Sequence, residues 1–329
     1  MHRRTTLFTL VSAALAAAAG LGAKGGRAQT YPVRPIRFVV PYPPGSGTDI
    51  VARLLAQKIT ENWGQQVIVD NKPGAGAIVG VEAVARAAPD GYTIGIGDTG
   101  PLAINPALYD KLPYNPATDF VAITHVANLP FVLVVHPSLP VTTVPELIAL
   151  AKSQPGKLNY ASVGNGSAVH LASELFKRVA GIDIVHIPYK GSAPALSGLL
   201  AGEVSLMFVN LFSSVPHLQA GRLRVLAVAS PKRTTMLPDL PTIAEAGLPG
   251  YAFLAWFGIV APAGTPEPIV DKLNGEFRRI LALPDVRDRM LNQGGTEPVG
   301  STSAEFADLI RSDMAQWAKI VKESGARVD

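Results

Sequence analysis

Short apolar runs alternate with helix-length amphipathic segments along most of this chain. Strand-like runs fall at 38–40, 67–69, 92–96, 131–135, 158–161, 184–187, 204–209 and 223–229. Helical spacing of apolar residues predicts helices over 49–62, 76–88, 144–153, 167–180, 194–201, 266–281, 284–293 and 303–324. In the first of these, Ile50, Val51, Leu54, Leu55 and Ile59 recur on one face, with Arg53, Gln57 and Lys58 elsewhere. Strands alternating with helices predict an α/β chain with mostly parallel sheets, flanked by helices and buried on both faces. No flexible linker divides the chain into two consecutive domains. The apolar stretch 120–136, interrupted by His125, Asn128 and Pro130, suits a segment leaving one sheet for another, and 223–230 could bring the chain back. Two crossings predict a discontinuous first lobe, 31–126 plus 230–329, a second lobe at 127–229, and a hinge that closes them over a ligand.

The amino terminus stands apart. His2, Arg3 and Arg4 precede an uncharged, Ala-rich stretch at 5–23, followed by small residues up to Ala28. This is the pattern of a secretory signal peptide cleaved near Ala28, and it is too weakly apolar for a membrane anchor. The Arg3-Arg4 pair matches a twin-arginine signal only partly, so general secretion is the expectation. The leader changes the charge balance: without Arg3, Arg4, Lys24 and Arg27, 25 of the 29 basic residues remain against 25 acidic ones, and the mature net charge is zero. The basic character of the full chain therefore implies no nucleic-acid or membrane-surface partner. There is no cysteine, which excludes disulfides and a lipoprotein anchor. The six histidines have no metal-ligand spacing, and neither a metal nor a cofactor is expected.

The candidate chemistry lies where strands hand over to helices. In Val40-Pro41-Tyr42-Pro43-Pro44-Gly45-Ser46-Gly47-Thr48-Asp49 the prolines stop a strand, the glycines free the backbone, and Ser46 or Thr48 can cap the next helix. A helix start presents unpaired N–H groups and a partial positive charge, which suits an anion. The same design recurs at Ser162-Val163-Gly164-Asn165-Gly166-Ser167, with His170 one turn into the helix, and at Tyr189-Lys190-Gly191. A fourth strand end, Gly97-Asp98-Thr99-Gly100-Pro101, has the glycines and the Thr99 hydroxyl. In open α/β sheets ligands sit beyond the carboxyl ends of strands, where such loops converge. Two enzyme patterns fit less well. Gly74-Ala75-Gly76-Ala77-Ile78-Val79-Gly80 is separated from its strand by four residues, unlike a dinucleotide turn. Neither Ser46 nor Ser167 sits in a hydrolase elbow, and His170 projects beside Ser167 rather than at it.

Taken together, Tyr42-Pro43-Pro44-Gly45-Ser46-Gly47-Thr48-Asp49, Val69-Asp70-Asn71-Lys72-Pro73-Gly74, Pro89-Asp90-Gly91-Tyr92-Thr93, Tyr160-Ala161-Ser162, Pro188-Tyr189-Lys190-Gly191 and Leu223-Arg224-Val225-Leu226-Ala227-Val228 form an ordered set. In these motifs the chain resembles the extracytoplasmic receptors of tripartite tricarboxylate transporters, the Bug family, from about Tyr31 onward. The resemblance implies a two-lobed periplasmic-binding-protein fold of type II. It also implies a carboxylate gripped between the loops at 45–49 and 162–167 by main-chain N–H groups and hydroxyls. The ligands implied are dicarboxylates, tricarboxylates, amino acids, or aromatic and pyridine acids, and the partners are two integral membrane transporter subunits serving a monomeric receptor. It adds Asn210, in Phe208-Val209-Asn210, to the candidate residues. Two departures, the apolar Thr99-Gly100-Pro101-Leu102 and Val209 where an acid is common, weaken the case for an amino acid and favour a ligand with an apolar or aromatic body. The alternatives are a secreted serine hydrolase using Ser46 or Ser167, and a binding protein that signals instead of transporting.

Overall fold

The computed structural model describes residues 31–324 and Ala326, and the leader expected at 1–28 lies outside the described residues. Strands β1 (Ile36–Val40), β2 (Val67–Asn71), β3 (Thr93–Asp98), β4 (Phe120–Leu129), β10 (Ala255–Pro262) and β11 (Glu297–Pro298) form a six-stranded sheet in the order β11-β4-β10-β3-β1-β2. Strands β5 (Phe131–Val135), β6 (Asn159–Ser162), β7 (Val185–Pro188), β8 (Leu206–Asn210) and β9 (Arg224–Val228) form a five-stranded sheet in the order β7-β6-β8-β5-β9. Only Pro130 separates β4 from β5, so the chain passes from one sheet to the other at a residue that cannot donate to a ladder.

Helices pack on both sheets. Gly47–Trp63 and Ile78–Ala85 follow β1 and β2, while Ala168–Ala180, Ser192–Leu200 and Leu211–Gln219 follow β6, β7 and β8. Helices Glu267–Leu281, Pro284–Gly294 and Ser303–Ser324 complete the chain. The Val144–Ser153 helix begins with a full capping box, the Thr143 hydroxyl accepting from Glu146 N–H while the Glu146 carboxylate reaches back. Each sheet-to-helix handover therefore comes at the carboxyl end of a strand, and that is what gathers the loops.

The sheets are mixed rather than mostly parallel. The pairs β1–β2, β1–β3, β6–β7 and β6–β8 are parallel, whereas β10 runs antiparallel to both β3 and β4, and β5 antiparallel to both β8 and β9. The cause is the double crossing: β4 leaves the six-stranded sheet and β10 returns beside it in the opposite sense. Both are additional to the eight expected strands. β10 is buried at every position, so it has no alternating pattern to reveal it.

Close packing beside the crossing leaves no room at Gly258. A Cβ there would lie 1.9 Å from Phe306 Cζ, and Phe306 itself stacks on His125 and meets Trp256 edge-on. Gly258→Ala is therefore expected to cost about 2–3 kcal/mol through overpacking. Chemical denaturation would register this as a lower midpoint; an unchanged midpoint would mean that the Phe306 ring has somewhere else to go.

Candidate functional site

The first loop is a small frame built around Asp49. Ser46 is the N-cap of the Gly47–Trp63 helix, at φ −67° and ψ 157°, and its hydroxyl accepts from Asp49 N–H at 3.2 Å. The buried Asp49 carboxylate accepts from Gly45 N–H at 2.9 Å, Asn71 Nδ2 at 2.8 Å and Arg53 Nε at 2.9 Å. Burial pushes this carboxyl up, but hydrogen bonds from Arg53, Gly45 and Asn71 more than offset it and hold it below its usual range. Asn71 also donates to the Tyr42 carbonyl at 3.0 Å, tying both ends of the loop to β2. Gly45 sits at φ +82° with open space around it, so backbone conformation rather than crowding calls for glycine there.

The second loop repeats the device. Ser167 caps the Ala168–Ala180 helix at φ −64° and ψ 156°, nearly the dihedrals of Ser46, and accepts from His170 N–H at 3.2 Å. Its own proton goes to the Gly164 carbonyl at 2.7 Å. Gly164, at φ +128°, donates to the Ser162 hydroxyl, and Gly166 N–H donates to His170 Nδ1 at 3.0 Å. The His170 ring stacks on His186 at 4.1 Å, and His186 Nε2 lies 2.6 Å from the Ser162 hydroxyl.

In each helix the third N–H is thus held by the cap serine, while the first two have no acceptor within the helix. Those first two belong to Gly47 and Thr48 in one case and to Ala168 and Val169 in the other. All four residues line one cavity of about 610 Å³. Two further helix starts open on it, one at Ser192 and one at the Leu211–Gln219 helix, whose Phe212 and N-cap Asn210 line the cavity and whose Asn210 Oδ1 accepts from Ser213 N–H. Apolar walls come from Leu129 and Phe257 on the six-stranded side and from Phe131, Met207 and Val209 on the five-stranded side. A larger hollow of about 710 Å³ lies near the Glu267–Leu281 and Ser303–Ser324 helices, but none of the glycine loops reaches it.

The expected site residues therefore divide. Tyr42, Gly47, Thr48 and Asn210 line the cavity. Gly45, Ser46, Asp49, Ser162, Gly164, Gly166, Ser167 and His170 shape the two loops around it through the bonds just described. Asn165 is exposed on the second loop. Thr99 is buried, its hydroxyl accepting from Trp256 N–H at 3.0 Å, and so joins β10 to the end of β3. The Tyr189 hydroxyl turns to Glu203 at 3.2 Å, Lys190 is exposed, and Gly191 provides the φ +112° N-cap that sets Ser192 against the cavity. Sequence reasoning missed Asp98, Phe131, Phe212 and Gln293, all of which line the cavity. Asp98 had a usable signal, an acidic residue closing a buried strand. Its carboxylate accepts from the Tyr42 hydroxyl and from Gly100 N–H, and burial pushes it up to about 6 despite those two bonds.

The stacked histidines make the second loop acid-sensitive. Burial and then the neighbouring His170 push His186 down to about 4, and burial likewise lowers His170. Unfolded histidine titrates near 6.5. The unfolded chain therefore binds more protons below that value, so the stability associated with these rings is complete above pH ~6.5 and is lost as the pH falls toward ~4. The margin in melting temperature between the native protein and His186→Gln should shrink over that interval. A margin independent of pH would contradict this origin.

Residues 51–326 match the family described as "Tripartite tricarboxylate transporter family receptor". The chain belongs to this receptor family. Among curated relatives, the "UPF0065 protein in tcbD-tcbE intergenic region" of Pseudomonas sp. (strain P51) is 43% identical over 298 residues, covering 90% of this chain and 88% of the relative. "Protein BugT" of Bordetella pertussis is 39% identical over 302 residues, covering 92% of each. The solved structure "R. palustris Rpa4515 with adipate" aligns with TM-score 0.77 and 40% identity, over 91% of this chain and all of that one. Another, "MatC (Rpa3494) from Rhodopseudomonas palustris with bound malate", aligns with TM-score 0.73 and 35% identity, over 88% of this chain and all of that one. This family and these neighbours are binding proteins, and this receptor shares their two-sheet α/β architecture.

Proposed function

We propose that this receptor is exported, loses its leader near Ala28, and closes two lobes, 31–126 plus 230–329 and 127–229, over a small organic acid in the periplasm. The observation that carries the reading is the convergence of helix starts from both sheets on one cavity, lined by Gly47, Thr48, Ala168 and Val169, whose N–H groups have no acceptor within their helices. A carboxylate supplies the acceptors these groups lack. Hydrogen bonds to a charged group contribute roughly 1.5–3 kcal/mol each. Three or four of them approach the ~8 kcal/mol of micromolar binding before desolvation and association entropy are deducted. The adipate and malate in the related structures agree with an acid as ligand.

The loaded receptor then docks on two integral membrane subunits of the transporter, as its family membership suggests. A hydrolase reading is weaker, because the Ser46 and Ser167 hydroxyls are engaged as helix caps and His170 Nδ1 accepts from Gly166 N–H instead of a serine. A thermal-shift series on the mature protein with organic acids, neutral sugars and metal salts tests the receptor reading. Stabilisation by one or more acids is the expected outcome; stabilisation by sugars or cations alone would overturn it.

A further inference from the structure

The cavity proposed to hold an anion carries a negative charge of its own. Asp98 is its one acidic lining residue, and no lysine, arginine or histidine lines it among the described residues. Above about pH 6 the Asp98 carboxyl is ionised. Its oxygens already accept from Tyr42 and from Gly100 N–H, one bond on each oxygen, so each retains capacity for another donor. A ligand that turned only apolar groups or a second carboxylate toward Asp98 would desolvate this charge without compensation. A ligand with an N–H or O–H at that point would instead make a charge-assisted bond. The rest of the wall, Leu129, Phe131, Met207, Val209, Phe212 and Phe257, accepts an apolar body.

We infer that Asp98 is a specificity-determining residue that reads a hydrogen-bond donor on the ligand, so that the receptor takes an amino or hydroxy monocarboxylate with an apolar side chain in preference to plain acids and diacids. This rests on the receptor reading above. It also reverses the sequence-based tilt away from amino acids: Val209 removes an acid from one wall, and Asp98 supplies one from the other.

Calorimetric titration of ligand-stripped mature protein at pH 7.5 with matched sets tests it. Each set holds an amino acid, its hydroxy analogue and the unsubstituted acid: alanine, lactate and propanoate; leucine, 2-hydroxy-4-methylpentanoate and 4-methylpentanoate; phenylalanine, 3-phenyllactate and 3-phenylpropanoate. In at least one set a substituted member should bind on the order of tenfold or more tightly than the unsubstituted one. Asp98→Asn should bring that ratio toward one while still binding the unsubstituted acid, which also reports that the variant is folded. Tyr42→Phe, which removes a competing donor, should keep the ratio or raise it. An unsubstituted acid or adipate binding as tightly as every substituted acid, or an unchanged ratio in Asp98→Asn, would overturn the assignment and leave the receptor reading standing. Silence from every member of the three sets would likewise overturn the assignment, while the receptor reading is decided by the wider acid series above.

Discussion

Ala168→Pro is expected to weaken ligand binding by ten- to a hundredfold, on the order of one charge-assisted hydrogen bond, while the unliganded protein melts within a few degrees of the native one. The substitution isolates a single donor. Ala168 is the first residue of its helix, where proline is well accommodated and where the N–H has no intrahelical acceptor to lose. The preceding Ser167, at φ −64° and ψ 156°, already has the extended backbone that a following proline demands. Gly47→Pro poses the same question on the other side, because Ser46 has almost the same dihedrals. The pyrrolidine ring also occupies a little of the cavity, so the effect is a maximum for the donor alone. The two proline variants together should leave no measurable binding. Native affinity in Ala168→Pro would show that the helix start on the five-stranded side does not touch the ligand.

Asp49→Ala should be the most damaging single change in the first loop, destabilising the fold by about 2–4 kcal/mol and lowering the melting temperature by roughly 5–10 °C. The side chain is 3% exposed, and its loss strands Gly45 N–H and one donor of the Asn71 amide. The Arg53 guanidinium is 51% exposed and keeps a bond to Asn71 Oδ1, so the ion pair is the smaller part of the cost. Asp49→Asn keeps an acceptor of the same shape and should lose less. Ligand affinity should fall in parallel, because the loop that aims Gly47 and Thr48 is framed by this carboxylate. Equal melting temperatures for Asp49→Ala and the native protein would mean that the loop is held by its prolines alone.

Local sequence was most informative where a single element determines its own shape. The Val144–Ser153 and Ser303–Ser324 helices and β5 occur with the bounds expected from spacing, because cap residues, apolar periodicity and flanking breakers agree there. The two serine caps were legible for the same reason. What escaped notice was set by partners distant in sequence. The antiparallel placement of β10 follows from β4 leaving its sheet, and nothing within Ala255–Pro262 records that. The hydroxyls of Ser167 and Thr99 and the ring of His170 had the residue types of ligand contacts. Only their neighbours, Gly164, Trp256 and Gly166 respectively, show that these groups are occupied within the fold. Conversely Phe131, Phe212 and Gln293 carry no motif and reach the cavity through the topology alone.

The carboxyl-terminal helix, Ser303–Ser324, packs on β4 of the six-stranded sheet and on the Ala168–Ala180 helix beside the five-stranded one, where Glu323 pairs with Arg178. It therefore ties the two sheets together, so a change in the angle between them would have to bend this helix or slide along it. Arg178 does not line the cavity, yet its pairing with Glu323 ties the helix of the second loop to this last one.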